Sequence, residues 1–321
     1  MTVEPTAGFA ELFGAVTANV ERVIQGKTEV IQMALLCMLS EGHLLIEDVP
    51  GVGKTSIAKA LATSVRCTFG RVQFTPDLLP SDVVGVSVWN RSSGDFEFRP
   101  GPIFANIVLG DEINRASPKT QSSLLEAMAE AQVTVDGTTY PLQRPFMVVA
   151  TQNPIEHEGT YPLPDNQLDR FLMRVSVGYP GRDSEILMLD THGVDDPLDD
   201  IRPVVDAAQV QSMVAAVKSV HVAPSLKGYL VDVAEATRRH PRLVLGVSPR
   251  AVLNLQRVAR ARAAAAGRGY VVPDDIKALA DSVLAHRLVA TPESQLAGIS
   301  TSEALREVLH SVPVPTSARP R

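Results

Sequence analysis

Short apolar runs alternate with amphipathic stretches along the first half of the chain. Five of the runs predict buried strands, because each is apolar on both faces. Helical segments at 55–65, at 118–130 and around 165–170 lie between several of these strands. This alternation predicts an α/β core with a doubly wound, parallel, five-stranded sheet. The predicted strands are residues 43–48, 71–74, 106–111, 146–151 and 171–177.

Two further stretches alternate polar and apolar residues, which predicts hairpins. Residues 83–98 fold around a Ser-Ser-Gly turn, and residues 133–140 fold about Asp136-Gly137, a strong two-residue turn signal. The simplest interpretation of both is a ribbon at an edge of the sheet.

The second half of the chain predicts a different kind of domain. Strand signals fade after Pro180, and the acidic, proline-containing residues 191–205 are predicted to be a linker. Helical spacing of apolar residues follows, which predicts an all-α lid over residues 206–311 behind a core of residues 1–190. The predicted lid helices are residues 206–218, 225–239, 249–266 and 274–289.

Composition places the chain among globular proteins. Of its 321 residues, 45% are hydrophobic and 21% are charged, which fits neither a disordered nor a fibrous protein. The longest apolar stretch, 31–39, is far below the roughly 18 residues of a membrane span, and residues 1–10 lack a signal-peptide pattern. We therefore expect a cytoplasmic protein with no membrane span. Residues 1–10 are expected to be disordered and the tail, 312–321, to be mobile.

Charge and metal-binding residue types exclude further classes. The net charge of −6 disfavours a broad phosphate-binding surface, so nucleic acid is not an expected partner. Cys37 and Cys67 are predicted to be reduced structural thiols. The seven histidines show no paired ligand spacing, so a zinc site is not expected.

A phosphate-binding loop is predicted where the first strand meets the first core helix. Gly51 and Gly53 would let backbone N–H groups surround phosphates, Lys54 would reach the β- and γ-oxygens, and the Thr55 hydroxyl would bind Mg²⁺. Asp48 stands where the usual eight-residue pattern has glycine, so the last five positions alone match. The predicted nucleotide-binding residues are Asp48, Val49, Pro50, Gly51, Val52, Gly53, Lys54, Thr55 and Ser56.

Candidate hydrolytic residues follow the next strands. Asp111 is predicted to hold Mg²⁺ and Glu112 to polarise the attacking water, while Asn153 would orient that water. Taken singly, an Asp-Glu pair also fits a solvated helix start, and Asn153 fits a turn cap. All three follow strands whose carboxyl ends would meet at one edge of a parallel sheet, where ligands bind in open α/β folds.

Two arginines extend the set of candidates. Arg250 is at the second position of a predicted helix, where the helix dipole disfavours a cation unless an anion is near. A solvated arginine is the alternative. Arg170 precedes the last strand and could pair with Asp169 or reach a phosphate bound to a neighbouring subunit.

Several long stretches resemble the MoxR family of AAA+ ATPases over roughly residues 10–310. The resemblance implies a P-loop NTPase core, and the two hairpins look like the helix-2 insert and the hairpin before sensor 1 of this clade. Near residues 23–26, where the family contacts adenine, this chain has Gln-Gly instead of Gly-Gln. The matching stretches are QFTPDLLPSD at 73–82, FEFRPGPIF at 96–104, DEINRA at 111–116, ATQNP at 150–154 and LDRF at 168–171.

The same resemblance implies roles and partners. It predicts Mg²⁺-dependent ATP hydrolysis by a ring, expected to be a hexamer, that remodels client protein complexes together with a von Willebrand factor A-domain protein. The residues concerned are Lys54 and Thr55 of Walker A, Asp111 and Glu112 of Walker B, Asn153 as sensor 1, Arg170 as the arginine finger and Arg250 as sensor 2.

Two other functions share this core. A metal-chelatase-type or nucleic-acid motor would have the same hairpins, but the second hairpin has no Lys or Arg between Gln132 and Tyr140, which argues against a grip on DNA. A nucleotide-gated scaffold that never hydrolyses ATP is the second alternative. The presence of both Glu112 and Asn153 argues against it.

Overall fold

The computed structural model describes residues 8–49, 51–154, 160–191 and 197–315. The chain divides into two compact units, one from Leu12 to Ser212 and the other from Met213 onward together with the beginning of the chain. Part of the predicted linker, 192–196, and most of the predicted mobile tail, 316–321, lie outside the described residues, as do residues 1–7 of the stretch 1–10 that was predicted to be disordered. For the end of that stretch the prediction was wrong, because Phe9 is buried and begins the first helix. No helix in the described ranges is long and apolar enough to cross a membrane.

The first unit is built around a parallel five-stranded sheet. Along the chain the strands are β1 (Leu44–Glu47), β2 (Phe69–Gln73), β3 (Gly85–Asn90), β4 (Asp95–Pro100), β5 (Ile107–Asp111), β6 (Gln132–Val135), β7 (Thr138–Pro141), β8 (Met147–Gln152) and β9 (Met173–Val175). The central sheet has the order β2-β5-β8-β1-β9, and each neighbouring pair is parallel. The predicted doubly wound, parallel, five-stranded sheet is confirmed.

Helices precede, separate and follow the strands of this sheet. The long helix α5 begins at Ser117, whose hydroxyl caps it by accepting from the Thr120 N–H, and Pro118 occupies its first turn. Its bounds agree with the sequence prediction. The helices are α1 (Phe9–Glu21), α2 (Thr28–Leu39), α3 (Lys54–Ser64), α4 (Pro80–Val84), α5 (Pro118–Glu130), α6 (Asp165–Leu168), α7 (Arg182–Thr191) and α8 (Pro197–Asp200).

The three central strands, β1, β5 and β8, are apolar runs buried along nearly their whole length. Strand β2 was predicted to be apolar on both faces, and that expectation was wrong. It lies at an edge of the sheet, with Arg71 and Gln73 exposed and Val72 buried. An edge strand has neighbours on one side alone, so polar side chains can reach solvent from it.

The two hairpins are separate two-stranded sheets rather than ribbons joined to the edge of the central sheet. Strand β3 pairs with β4, and β6 pairs with β7 about Asp136 and Gly137, which both have positive φ as the predicted turn requires. Side chains connect the hairpins: the rings of Phe98 and Tyr140 stack with centroids 4.2 Å apart. Aromatic packing therefore connects the two hairpins to each other.

The described part of the predicted linker, residues 197–205, is packed against the core of the first unit. It contains α8, and Ile201 and Val205 are buried. The backbone N–H groups of Val204 and Val205 donate to the carbonyl oxygen of Ser64, at 2.9 and 3.2 Å. These buried apolar residues make this stretch part of the first unit, while the domain limits as a whole stay a prediction.

From residue 207 onward the chain is mainly helical, which confirms the predicted helical domain. Two features were not predicted. A short antiparallel pair, β10 (Leu243–Leu245) and β11 (Val289–Ala290), means that this part is not all-α. Two further helices follow the four predicted ones, so four helices were too few. The helices are α9 (Ala207–Ser219), α10 (Pro224–Arg238), α11 (Pro249–Ala265), α12 (Pro273–Leu284), α13 (Pro292–Leu296) and α14 (Thr301–Ser311).

A buried histidine joins three elements of the core. His43, which precedes β1, is 8% exposed, and its Nδ1 accepts from the Val148 N–H at 3.0 Å. Its Nε2 lies 3.0 Å from the carbonyl oxygen of Met128, so the neutral ring with its proton on Nε2 satisfies both contacts. Burial lowers the pKa of His43 to about 4, although the Met128 carbonyl opposes this shift.

This histidine predicts a pH dependence of stability. Between about pH 6.5 and pH 4 the unfolded chain binds a proton that the folded His43 does not, so stability is complete above the unfolded pKa and decreases as the pH falls. The free energy of unfolding should fall by roughly 3 kcal/mol over this range on account of His43 alone. Urea unfolding at a series of pH values would measure the slope. His43→Gln should flatten it, whereas His310→Gln, at an exposed position, should not; equal slopes for both variants would contradict the prediction.

Candidate nucleotide site

The predicted phosphate loop connects the carboxyl end of β1 to α3. Gly51 and Gly53 have φ values of +83° and +86°, a region that side chains with a Cβ rarely adopt. Lys54 opens α3 and is buried, and its Nζ donates to the carbonyl oxygen of Asp48 at 2.7 Å. Thr55 and Ser56 follow in the first turn of the helix. Backbone N–H groups at this helix start form the kind of site that binds phosphate.

Asp48 begins this loop, and its place among the nucleotide-binding residues stays a prediction. Its carboxylate bonds to protein groups. Its Oδ1 accepts from the Val49 N–H at 2.8 Å, and its Oδ2 accepts from the Ser176 hydroxyl at 2.8 Å and the N–H groups of Val177 at 2.7 Å and Gly178 at 2.5 Å. Burial would raise the pKa of Asp48, but these hydrogen bonds outweigh burial and hold the pKa below its ordinary value. Pro50, also predicted here, lies outside the described residues.

A cavity of about 620 Å³ lies beside the loop, within the first unit. Gly51, Val52, Gly53 and Ser56 line one side of it. The connection between α1 and α2, including the predicted adenine-contacting segment, lines another side. Its size and mixed apolar and polar lining are those of a small-molecule site. The remaining wall includes Tyr179, Pro180, Glu185 and Met188.

Two carboxylates lie at the carboxyl end of β5, beside the end of β8. Asp111 Oδ1 accepts from the hydroxyl of Thr151 at 2.7 Å, and the same hydroxyl accepts from the Glu112 N–H at 2.8 Å. Thr151 is fully buried, so its hydroxyl holds the Asp111 side chain and the Glu112 backbone in place. Glu112 has φ of +56°, an uncommon conformation for a residue with a side chain. Thr151 was not among the predicted site residues.

Three polar side chains surround these carboxylates. Arg71 forms an ion pair with Asp111 Oδ2 at 2.7 Å and donates to Gln73 Oε1 at 2.8 Å. Gln73 Nε2 and an Arg115 N–H both donate to Glu112 Oε2 at 3.1 Å. The register explains this arrangement, because Gln73 lies directly beside Asp111 in the paired strands β2 and β5. These residues were also missed, although the polar alternation of β2 was visible in the sequence.

The remaining predicted site residues, Asn153, Arg170 and Arg250, lie in three different parts of the structure. Asn153 is buried and directly follows β8, at the same edge of the sheet as Asp111. Arg170 follows α6 and donates to the carbonyl oxygen of Leu125 in α5 at 2.7 Å. Arg250 is exposed in the first turn of α11, a helix capped by the Ser248 hydroxyl, and it belongs to the second unit. The first unit thus brings together the phosphate loop and the residues that follow β5 and β8.

The donor groups at this edge fit Mg²⁺. Thr55 offers a hydroxyl and Asp111 a carboxylate, both of them oxygen ligands of the kind that Mg²⁺ prefers. Among the described residues, no group of three or more His, Cys, Asp or Glu side chains is arranged to hold a metal ion by itself. Mg²⁺ at nucleotide sites takes one or two protein ligands, because phosphates and waters supply the others.

Comparison with known proteins finds relatives that match most of the chain. Residues 43–173 match the family described as ATPase family associated with various cellular activities (AAA), and residues 235–308 match the AAA lid domain. The protein YeaC of Bacillus subtilis is 48% identical over 95% of both chains. Chaperone MoxR1 of Mycobacterium tuberculosis is 42% identical over 92% of this chain and 81% of its own. A crystal structure of an ATPase candidate from Cytophaga hutchinsonii, 38% identical, has a TM-score of 0.91 and covers 98% of each chain.

Proposed function

This chain belongs to the MoxR family of AAA+ ATPases, and we propose that it hydrolyses ATP to ADP and phosphate in order to remodel or mature partner protein complexes. The observation that supports this proposal best is that the phosphate loop, the cavity and the two carboxylates lie at the same edge of the sheet. A loop with two positive-φ glycines and a buried lysine adjoins a cavity. The Thr151 hydroxyl bonds the Asp111 carboxylate at the end of β5 and the backbone N–H of Glu112, the next residue. Such an arrangement can bind a nucleotide and activate water against its terminal phosphate.

Each side chain has a definite task in this proposal. Lys54 and the N–H groups of the loop bind the β- and γ-phosphates. Thr55 and Asp111 would hold Mg²⁺, which when bound neutralises charge on the phosphates. Glu112 accepts a proton from the attacking water, and Asn153 orients that water. Gln73 and Arg115 already donate to Glu112 Oε2, so they limit the directions in which this carboxylate can point.

The proposal extends to assembly and partners. We propose a homo-oligomeric ring, a hexamer, in the cytoplasm, in which Arg250 contacts the nucleotide of its own subunit and Arg170 that of a neighbour. The remodelled client is a protein complex, and a von Willebrand factor A-domain protein is the proposed partner. The name of the relative MoxR1, a chaperone, supports a role in remodelling proteins.

A stalled variant tests the proposed activity and its partners together. Glu112→Gln removes the proton acceptor, so the variant should bind ATP but release phosphate at least roughly 10²-fold more slowly than wild type. The stalled protein should also retain its client and an A-domain partner in affinity purification followed by mass spectrometry. Glu29→Gln, at an exposed position of α2, is the matched control and should behave as wild type.

Two outcomes would contradict the proposal. Phosphate release by Glu112→Gln at the wild-type rate would remove Glu112 from the hydrolytic centre. Recovery of nuclease-sensitive nucleic acid in place of a protein client would favour a nucleic-acid motor.

A further inference from the structure

The Asp48 carboxylate and the Lys27 ammonium group hold opposite edges of one short segment, residues 176–179. Asp48 Oδ2 accepts from the N–H groups of Val177 and Gly178 and from the Ser176 hydroxyl. From the other side, Lys27 Nζ donates to the carbonyl oxygens of Val177 at 2.6 Å and Tyr179 at 2.7 Å. The backbone of Val177 is therefore bonded to a carboxylate through its N–H group and to an ammonium group through its carbonyl.

These two charged residues come from different segments beside the phosphate-loop cavity: Lys27 lines the cavity, and Asp48 precedes the lining residues Gly51, Val52 and Gly53. Asp48 begins the loop, and its carbonyl oxygen accepts the hydrogen bond from Lys54. Lys27 precedes α2 and lines the cavity together with Tyr179. A close approach lies next to Lys27: a Cβ on Gly26 would clash with Ser184 Oγ, so the connection between α1 and α2 packs against α7 there.

The usual glycine at the position of Asp48 could make no such connection, because it has no side chain. Here a charged acceptor, 8% exposed, receives four hydrogen bonds, three of them from residues 176–178. Hydrogen bonds to a charged group are stronger and shorter than neutral ones. Asparagine at this position would direct an NH₂ group or a weaker acceptor toward N–H donors, so the charge as well as the shape is needed.

We propose that Asp48 and Lys27 are positioning residues that couple the phosphate end of the nucleotide cavity to its base end by fixing residues 176–179 between them. The proposal rests on the proposed function, in which ATP occupies this cavity. Fixed walls strengthen binding of the base, since less conformational freedom is lost when the nucleotide enters. The bare phosphate loop does not need the coupling, because Lys54 and the backbone N–H groups remain in place without it.

Inorganic tripolyphosphate tests the phosphate end of the cavity alone, because it has the phosphates of ATP without the nucleoside. Both ligands would be measured by competition against a fluorescent ATP analogue. Lys27→Met and Asp48→Asn should each weaken ATP binding by roughly tenfold, the loss of about one charged hydrogen bond. Tripolyphosphate binding should stay within about twofold of wild type. The double variant should bind ATP nearly as well as Asp48→Asn alone, because both changes break the same connection.

Lys227→Met, an exposed lysine of α10, is the matched control and should change neither affinity. Thermal unfolding identifies a variant that fails to fold. If Asp48→Asn does not fold, Lys27→Met tests the proposal alone, because the Lys27 side chain is half-buried and its replacement disturbs the core less. Equal losses of ATP and tripolyphosphate binding would overturn the coupling, as would fully additive effects in the double variant. A wild-type protein that binds neither ligand would instead refute the proposed function.

Discussion

A Lys54→Ala protein should fold but bind ATP roughly 10²-fold more weakly than wild type. Lys54 is buried at the start of α3, and its Nζ lies 2.7 Å from the carbonyl oxygen of Asp48. In the proposed complex this ammonium group turns to the β- and γ-phosphate oxygens, and alanine leaves those charges without a partner in a poorly solvated place. The residual affinity would come from the loop N–H groups and the base cavity.

Isothermal titration calorimetry measures this effect directly. Lys59→Ala is the matched control, because Lys59 is an exposed lysine on the same helix. Both variants should unfold at nearly the wild-type temperature, which separates a lost phosphate contact from a damaged fold. If Lys54→Ala bound ATP as tightly as the Lys59 variant, the phosphate-loop assignment would be wrong.

The parts of the fold that were predicted correctly depend on local signals. The central strands β1, β5 and β8 are apolar runs that are buried on both faces. Helix α5 has Ser117 and Pro118 at its start. Helix α14 has equally local signals, a capping box of Ser300 and Glu303 before an amphipathic segment. It was missed although the pattern was present in the sequence.

The parts of the site that could not be predicted depend on contacts between distant residues. The direction of the Asp48 carboxylate is set by Ser176, Val177 and Gly178, more than 120 positions along the chain. Likewise, the ion pair of Arg71 with Asp111 exists because strands β2 and β5 are neighbours in a particular register. A sequence motif identifies the residue types at a nucleotide site, but the tertiary register decides which groups each side chain contacts.

Arg170→Ala should bind ATP with nearly wild-type affinity and yet hydrolyse it more slowly by roughly 10³-fold or more. In the proposed mechanism, Asp111 holds the metal, Glu112 accepts a proton and Asn153 orients the water within one subunit. Charge that develops on the γ-phosphate would still need a cation from outside the loop. Within the described part of the chain, Arg170 makes one side-chain hydrogen bond, to Leu125. Its guanidinium group therefore has further donors for a phosphate on a neighbouring subunit.

Arg144→Ala is the control for this loss, because Arg144 is a more exposed arginine of the same unit that pairs with Glu41. It should leave the turnover rate unchanged.

Mixed assemblies decide whether Arg170 acts on the same subunit or on its neighbour. Arg170→Ala subunits have an intact phosphate loop without the finger, and Lys54→Ala subunits have the finger without an intact loop. If Arg170 acts across the interface, an interface between the two kinds of subunit can combine the intact loop of one with the intact finger of the other. Phosphate release by the mixture should then exceed the sum of the two variants assayed alone, with a maximum at an intermediate ratio. A mixture no more active than that sum, or a wild-type protein whose activity per subunit is the same in a verified monomer, would assign Arg170 to its own subunit or to no catalytic role.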